Sequence, residues 1–352
     1  MKNKQNILIT NDCKSSYSGF SNKLEKLKGK TLLITGGTGF LGSWVCEMVH
    51  YMNTFHKANI NIFIMARNKE HFDSNFLHIK GAQFICSDIR NIIDLPKDIN
   101  YIIHAASNPD NRFHASRPFE SMTTTADGTS ALFQSASQLS KLHNIVNVSS
   151  SSVYCTNLKK GEGFSEDFLG LTYSNKLSDS FSVANRYSES LCNAARSELR
   201  LPISTIRPFT FCGAYQDIDS PWAINNFIND AICKRPIRIH GDGNVVRSYM
   251  YGSDLAIWTL VIMLNSKNGQ VYNVGSGDGY TLKEIADKVA SNFSPVSSVL
   301  TNTSIVHENN HSVLLPDVTK AEKVFGLRQV IGIDESIKRT VEWYKGSLNY
   351  VQ

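Results

Sequence analysis

The stretch Thr31-Leu-Leu-Ile-Thr35-Gly36-Gly37-Thr38-Gly39-Phe40-Leu41-Gly42 decides how the rest of the chain is read. A short apolar run ends in glycines at 36, 39 and 42, and Phe40 to Phe55 then carries Leu41, Val45, Met48 and Val49 at helical spacing. That order predicts a buried parallel strand, a tight turn and a helix. Gly36 permits the turn, Gly39 lets backbone approach a pyrophosphate, and Gly42 lets the helix close on the strand. The helix start, Phe40 and Leu41 included, offers unbonded N–H groups and the positive end of a dipole to an anion.

The same alternation recurs downstream. Strands are expected at Ile60–Ala66, Ala82–Ser87, Tyr101–Ala105, Ile145–Ser149, Ile203–Arg207 and Val271–Val274, with helices at Arg117–Leu142 (broken near Phe119) and Leu177–Arg200. This predicts an α/β fold, a Rossmann-type doubly wound parallel sheet with a smaller, discontinuous C-terminal substrate domain. Residues 30–207 would form the dinucleotide-binding domain, with 246–275 returning to it. Residues 208–245 and 276–352 would form the substrate domain. Residues 1–29, rich in Ser, Asn and Lys, read as an N-terminal extension that clasps a neighbour or stays mobile.

Composition narrows the function. The chain has 352 residues, 41% of them hydrophobic and 19% charged, so it can bury a large core and is not a disordered tail. The net charge of +5 comes from scattered basic residues with no interleaved aromatics, which argues against nucleic acid and suits an anionic small molecule. Seven cysteines without CxxC spacing give neither a disulfide framework nor a zinc site, and reduced thiols fit a cytoplasmic setting. The longest apolar run, Leu255–Leu264, is too short to span a membrane. Asn3 to Thr10 is too short and polar for a signal peptide.

The second strand ends in Met65-Ala66-Arg67-Asn68, where an acid would bond the adenosine ribose. Arg67 instead suits a 2′-phosphate or the adenine face, a weak lean to NADP over NAD. Asp88, after the third strand, either reaches the adenine edge or caps its own loop.

Further motifs follow in order: His104-Ala-Ala-Ser107, Val148-Ser-Ser-Ser-Ser-Val-Tyr154, Arg207-Pro-Phe209, Gly241-Asp-Gly243 with Arg247, Tyr272-Asn-Val-Gly275 and Pro316-Asp317. With the glycine turn, they make residues 29 to 345 resemble the extended short-chain dehydrogenase/reductases of the NAD-dependent epimerase/dehydratase type. These include UDP-glucuronate decarboxylases, dTDP-glucose dehydratases and nucleotide-sugar 4-epimerases. The resemblance implies a nucleotide-sugar substrate from which the cofactor removes hydride, commonly at C4. It implies cofactor contacts at Gly36, Gly39, Phe40, Leu41, Gly42, Arg67, Asp88, Ile89, Ala105, Ala106, Ser107 and Asn185. It also implies a homodimer formed through helices near 117–142 and 178–200, with no nucleic acid, membrane or metal involved.

The match fails where the chemistry should be. Relatives carry Tyr-x-x-x-Lys-Arg-x-x-Glu-x-x-Cys; this chain reads Phe181-Ser-Val-Ala-Asn185-Arg186-Tyr-Ser-Glu189-Ser-Leu-Cys192. The tyrosine that takes the hydroxyl proton becomes Phe181, and the lysine becomes Asn185, which can hydrogen-bond but carries no charge. Ser150 retains the family's hydroxyl-orienting position. Ser151 and Ser152 stand where dehydratases carry Asp-Glu and decarboxylases a Glu in the second place. Both reactions are thereby disfavoured against epimerisation, isomerisation or simple oxidoreduction. Cys155 replaces a glycine and Thr125 an asparagine. Tyr173 is the best substitute base, ahead of Tyr154 and Tyr187. On the substrate side, Arg247 falls where relatives hold the diphosphate, with Ser151 and Asn225 as further contacts. His307 or His311 would stand in for a second arginine, and Arg207 would brace its own strand. The alternative reading is a catalytically degenerate cofactor-binding subunit with a regulatory or structural role.

Overall fold

The computed structural model describes residues 2–91, 94–108, 110–155, 162–168, 170, 176–301 and 312–347. Seven strands form one parallel sheet: β1 (Thr31–Thr35), β2 (Asn61–Ala66), β3 (Ala82–Cys86), β4 (Tyr101–His104), β5 (Asn144–Val148), β6 (Ile203–Pro208) and β7 (Val271–Val274). Their spatial order is β3-β2-β1-β4-β5-β6-β7. The chain winds one way from β1 and the other way from β4, so a crevice opens between their carboxyl ends, where α/β sheets bind ligands. Each expected strand is present to within a residue at either end.

The helices are α1 (Lys2–Ser18), α2 (Phe40–His56), α3 (Lys69–Asn75), α4 (Asn111–Ser116), α5 (Pro118–Ala136), α6 (Ser180–Glu198), α7 (Ala223–Ile232), α8 (Gly252–Asn265), α9 (Leu282–Ala290), α10 (Thr319–Phe325) and α11 (Ile333–Ser347). Alternate strand residues serve opposite faces. Leu32 and Ile34 join Trp44, Val45 and Leu260 under α2 and α8, while Leu33 joins Leu132, Phe133 and Cys192 under α5 and α6. The apolar run at Leu255–Leu264 is α8, buried throughout. No described helix is long and apolar enough to cross a membrane.

The helix expected over Arg117–Leu142 runs without a break near Phe119, from Pro118 to Ala136, and Arg117 separates it from a shorter helix before it. Pro118 sits at the first helical position of α5, where its missing N–H costs nothing, and it holds the preceding residue out of helical geometry. The segment before it is a helix of its own, α4, which packs against α5 and the turn that precedes α6.

Beyond β6 the small elements interlock. Ile237–Ile239 pairs with Val299–Thr301, and Val246–Arg247 lies between Tyr280–Thr281 and Val313–Leu314. Helix α9 opens on a capping box between Thr281 and Glu284. Residues 1–29 dock rather than dangle. Ile9, Cys13, Tyr17, Phe20, Leu24 and Leu27 are buried in the same core as the sheet. The polar residues of that face are partnered too: Asp12 accepts from Arg339 Nη1 (2.6 Å) and from Tyr251 Oη (2.7 Å), and Ser16 donates to Asp254 (2.6 Å).

Candidate active site

The glycine turn has the geometry its sequence predicts. Gly36 has a φ of +67°, and a Cβ there would come within 2.7 Å of the Ala105 carbonyl carbon. A Cβ on Gly42 would lie 2.5 Å from Gly37 Cα, so the helix can close on the turn only as glycine. A Cβ on Gly39 would meet nothing but the Gly36 oxygen, at 3.2 Å. The space in front of it is therefore open to a ligand. Gly39 is the N-cap of α2, and no side chain caps that end. Ser43 uses both its N–H and its hydroxyl on the Gly39 carbonyl, each at 2.8 Å, so the first amides of the helix are left to face an anion. A glycine floor, open space and an uncapped helix start fit a dinucleotide pyrophosphate.

His104 supports this turn from below. It is buried between Thr35 Oγ1 (2.8 Å from Nδ1) and Thr129 Oγ1 (3.1 Å from Nε2), and burial pushes its pKa down to about 4. It ties β1 to α5 as a neutral imidazole.

Toward the adenosine end, Arg67 is exposed just past β2, and the Asn68 side chain caps α3. Asp88 caps its own loop. Its carboxylate accepts from Arg90 N (3.0 Å), Nε (2.9 Å) and Nη2 (2.7 Å), and the hydrogen bonds from Arg90 hold its pKa down at about 2. Ile89 is buried under α5, where a Cβ on Gly128 would strike it. The Ala105–Ser107 backbone continues β4 against Gly36, with Ala105 N–H on the Thr35 carbonyl and Ser107 N–H on that of Ala105.

At the acid/base position, Ser150 caps the short turn Ser151–Tyr154 by accepting from Ser152 N–H (3.1 Å), and Ser151 is buried. Phe181 lies in the first turn of α6. Asn185 is buried one turn on, and its amide donates to the Phe181 carbonyl (2.8 Å). The amide expected to reach a ribose is thus bonded within its own helix. The Phe181 ring stacks on His114 of α4, with centroids 3.9 Å apart and planes 21° apart. His114 is 8% exposed. Its Nδ1 is 2.6 Å from Ser121 Oγ of α5, and its Nε2 is buried without a hydrogen-bond partner among the described residues. Burial lowers its pKa, opposed by Asp110 and the Asn108 backbone. Sequence reasoning missed His114, because a lone histidine in a connecting segment has no spacing that marks it.

The substitute bases fare differently. Tyr173 lies outside the described residues, as do His307 and His311. Tyr154 is no cleft residue. It is fully buried against Phe164 and Phe209, with its hydroxyl on Asn273 Oδ1 (2.6 Å). Tyr187 is half exposed on the outer side of α6. Arg207 braces its strand through Glu189, with Nη2 2.7 Å from Oε2.

Arg247 is a largely buried cation without an acid. Its guanidinium donates to the Val246 carbonyl (2.8 Å), the Ser312 carbonyl (2.9 Å) and Ser312 Oγ (3.1 Å), and no carboxylate among the described residues pairs with it. Burial accordingly lowers its pKa. Asn225 is fully buried. Its amide donates to the Asp217 carbonyl (2.9 Å), and its Oδ1 has no partner among the described residues.

Comparison with known proteins agrees with this geometry. The chain is 27% identical over 90% of its length, and 98% of the relative's, to a UDP-N-acetyl-alpha-D-glucosaminuronate decarboxylase of Bacillus cytotoxicus. It is 23% identical to UDP-glucuronic acid decarboxylase 1 of Danio rerio, over 91% of this chain and 74% of the relative. Trifunctional dehydratase/epimerase/reductase proteins of Arabidopsis thaliana match too, but the chain spans only 47% of their length. Among solved structures, the fold is shared with a tyrosine-to-phenylalanine variant of UDP-glucuronic acid 4-epimerase from Bacillus cereus, bound to UDP-4-deoxy-4-fluoro-glucuronic acid and NAD. The TM-score is 0.77 at 23% identity, covering 90% of this chain and all of that one. The model of the NAD dependent epimerase/dehydratase family matches residues 32–275. That match takes in most of the chain, from the glycine turn to the last strand of the sheet, and this protein belongs to that family.

Proposed function

We propose that this chain modifies a nucleotide-activated sugar, using bound NAD or NADP to take hydrogen from a sugar carbinol carbon, C4 in the first instance, at an acid/base site built without the family's Tyr/Lys pair. The observation that carries the reading is Arg247: a largely buried guanidinium that donates to two carbonyls and a hydroxyl, with no carboxylate partner among the described residues, keeps its charge at a cost that an anion would offset. A sugar-nucleotide diphosphate is such an anion.

In this reading Gly36, Gly39, Gly42 and the amides of Phe40 and Leu41 hold the cofactor pyrophosphate. Ala105, Ala106, Ser107 and Asn185 line the ribose next to the redox ring, and Asp88 and Ile89 flank the adenine. Arg67, with no acid in its place, favours a 2′-phosphate and thus NADP. The bound nicotinamide supplies the acceptor for the carbinol hydrogen. Ser150 orients the sugar hydroxyl, Ser151 and Asn225 contact the sugar, and Arg247 grips the diphosphate. Serines at 151 and 152 leave no acid for elimination or decarboxylation there, which favours epimerisation or oxidoreduction. This departs from the decarboxylase names of the relatives. Phe119, Leu177 and Tyr187, exposed at 82%, 76% and 52% at the α5–α6 pair, suit a homodimer face.

The test is calorimetry with NAD and NADP, followed by incubation of loaded protein with a panel of UDP- and dTDP-sugars read by proton NMR. A new epimer or keto-sugar is expected, and a panel without any product overturns the reading. The second reading, a non-catalytic subunit, is favoured by the Asn185 amide being spent on the Phe181 carbonyl. It predicts a silent native chain that gains activity only as the double variant Phe181→Tyr, Asn185→Lys.

A further inference from the structure

We propose that His114 is the catalytic acid/base of this site, receiving the sugar hydroxyl proton in place of the tyrosine that Phe181 replaces. The inference rests on the nucleotide-sugar reading above and deepens it. Three observations carry it. First, the His114 ring lies face to face with Phe181, so it occupies space bordering the family's base position. Second, α4 is the next helix after β4, and Ala105, the residue that follows β4, abuts Gly36, so the chain runs from the cradle directly into the helix that carries His114. Third, its Nε2 is buried and unpartnered among the described residues, while its Nδ1 is held by Ser121 Oγ. A buried polar atom without a partner is rare and points to a missing ligand or a working role.

The Ser121 contact sets the chemistry. Where Nδ1–H donates to Ser121 Oγ, Nε2 keeps its lone pair, and this is the tautomer that the proposed general base requires. Burial keeps the ring neutral before reaction, and Asp110 with the Asn108 backbone favours the imidazolium once it forms. In the oxidative half, the hydroxyl O–H bond breaks and its proton goes to Nε2. The C–O bond becomes a carbonyl as the carbinol hydrogen leaves with its electron pair for the nicotinamide of NAD(P)⁺, which is reduced. The return half reverses each transfer, so proton and electrons balance over the cycle. The aromatic face of Phe181 packs against the ring and fixes its plane, as a packed neighbour does for a catalytic side chain.

Two measurements on the full-length, NAD-loaded protein test this. In ¹⁵N NMR of histidine-labelled protein, with the His114 signal assigned through His114→Gln, Nδ1 is expected to be protonated and Nε2 not. A proton on Nε2 in the neutral ring overturns the proposal. In turnover assays with UDP-glucose, UDP-glucuronate and UDP-N-acetylglucosamine, His114→Gln is expected to lose about 100-fold or more in rate, with calorimetric affinities for NAD and UDP unchanged. Adding Phe181→Tyr and Asn185→Lys to that variant is expected to restore turnover. Wild-type rates in His114→Gln overturn the role of His114 and leave the enzyme reading standing. A wild-type protein inert toward every sugar overturns the enzyme reading, and this proposal with it.

Discussion

Gly36 and Gly39 lie three residues apart in one turn and tolerate a methyl group differently. At Gly36 the left-handed φ and the Ala105 carbonyl both oppose a Cβ, so Gly36→Ala is expected to cost about 1–2 kcal/mol from backbone strain alone, and more from the clash. At Gly39 the methyl would press only on the Gly36 oxygen, at 3.2 Å, and otherwise fill open space in front of the turn. Gly39→Ala is therefore expected to melt within a few degrees of wild type while losing NAD affinity about tenfold or more. Thermal melts and calorimetry on the two variants separate these effects, and equal losses of stability would refute the distinction. Arg247→Ala belongs to the same scale. Losing charge-assisted bonds to a diphosphate is expected to weaken UDP binding by about 1.5–3 kcal/mol, and Arg247→Lys is not expected to restore it, since an ammonium cannot reproduce the fork. Unchanged calorimetric affinity for UDP in Arg247→Ala would remove the diphosphate role. Gly36 and Gly42 were legible in the sequence because each answers a constraint that only glycine meets, a left-handed φ at the first and a close approach of helix and turn at the second. His114 was not, because its meaning comes from partners on two other helices, Ser121 and Phe181.

Among the elements, α1 shows why local patterning hides some packing. Its inward face carries Ile9, Cys13 and Tyr17 at four-residue spacing, but also Asp12 and Ser16. A polar residue on an apolar stripe reads as solvent-facing until its partner is known. Here the partners are Arg339 and Tyr251 for Asp12 and Asp254 for Ser16, all far along the chain. The docked position has a measurable consequence. Ile9→Ala is expected to cost about 2–4 kcal/mol, as for a core deletion, because Ile9 is buried in the same cluster as the sheet. A loosely attached extension would show almost none of that loss in urea unfolding. The short helix α4 is the opposite case. Its end follows from Pro118, which the sequence displays, yet the helix expected from Arg117 onward left the segment before it without an element. Because Arg117 separates the two helices, α4 can take its own direction and bring His114 to Phe181 in the first turn of α6.

For the whole molecule, the crevice between the carboxyl ends of β1 and β4 rests on a buried imidazole that its surroundings favour uncharged. His104 joins the two halves of the sheet's winding, through Thr35 on β1 and Thr129 on α5. Folding lowers its pKa from 6.5 to about 4 through burial. Between those values the unfolded chain binds the proton and the folded chain does not. The contribution of His104 to stability is therefore full above pH 6.5 and is lost as the pH falls through 4, by about 3 kcal/mol in all. The prediction is sharpest as a difference between two proteins. His104→Gln removes the titrating group, so its deficit against wild type is expected to be largest near neutral pH. That deficit is expected to shrink steadily between pH 6.5 and 4. Urea unfolding of both proteins across that range gives the two stability curves. Parallel curves would mean that His104 titrates alike in the folded and unfolded chain and that burial does not hold it neutral, and a deficit that grows as the pH falls would mean that it carries its proton in the fold.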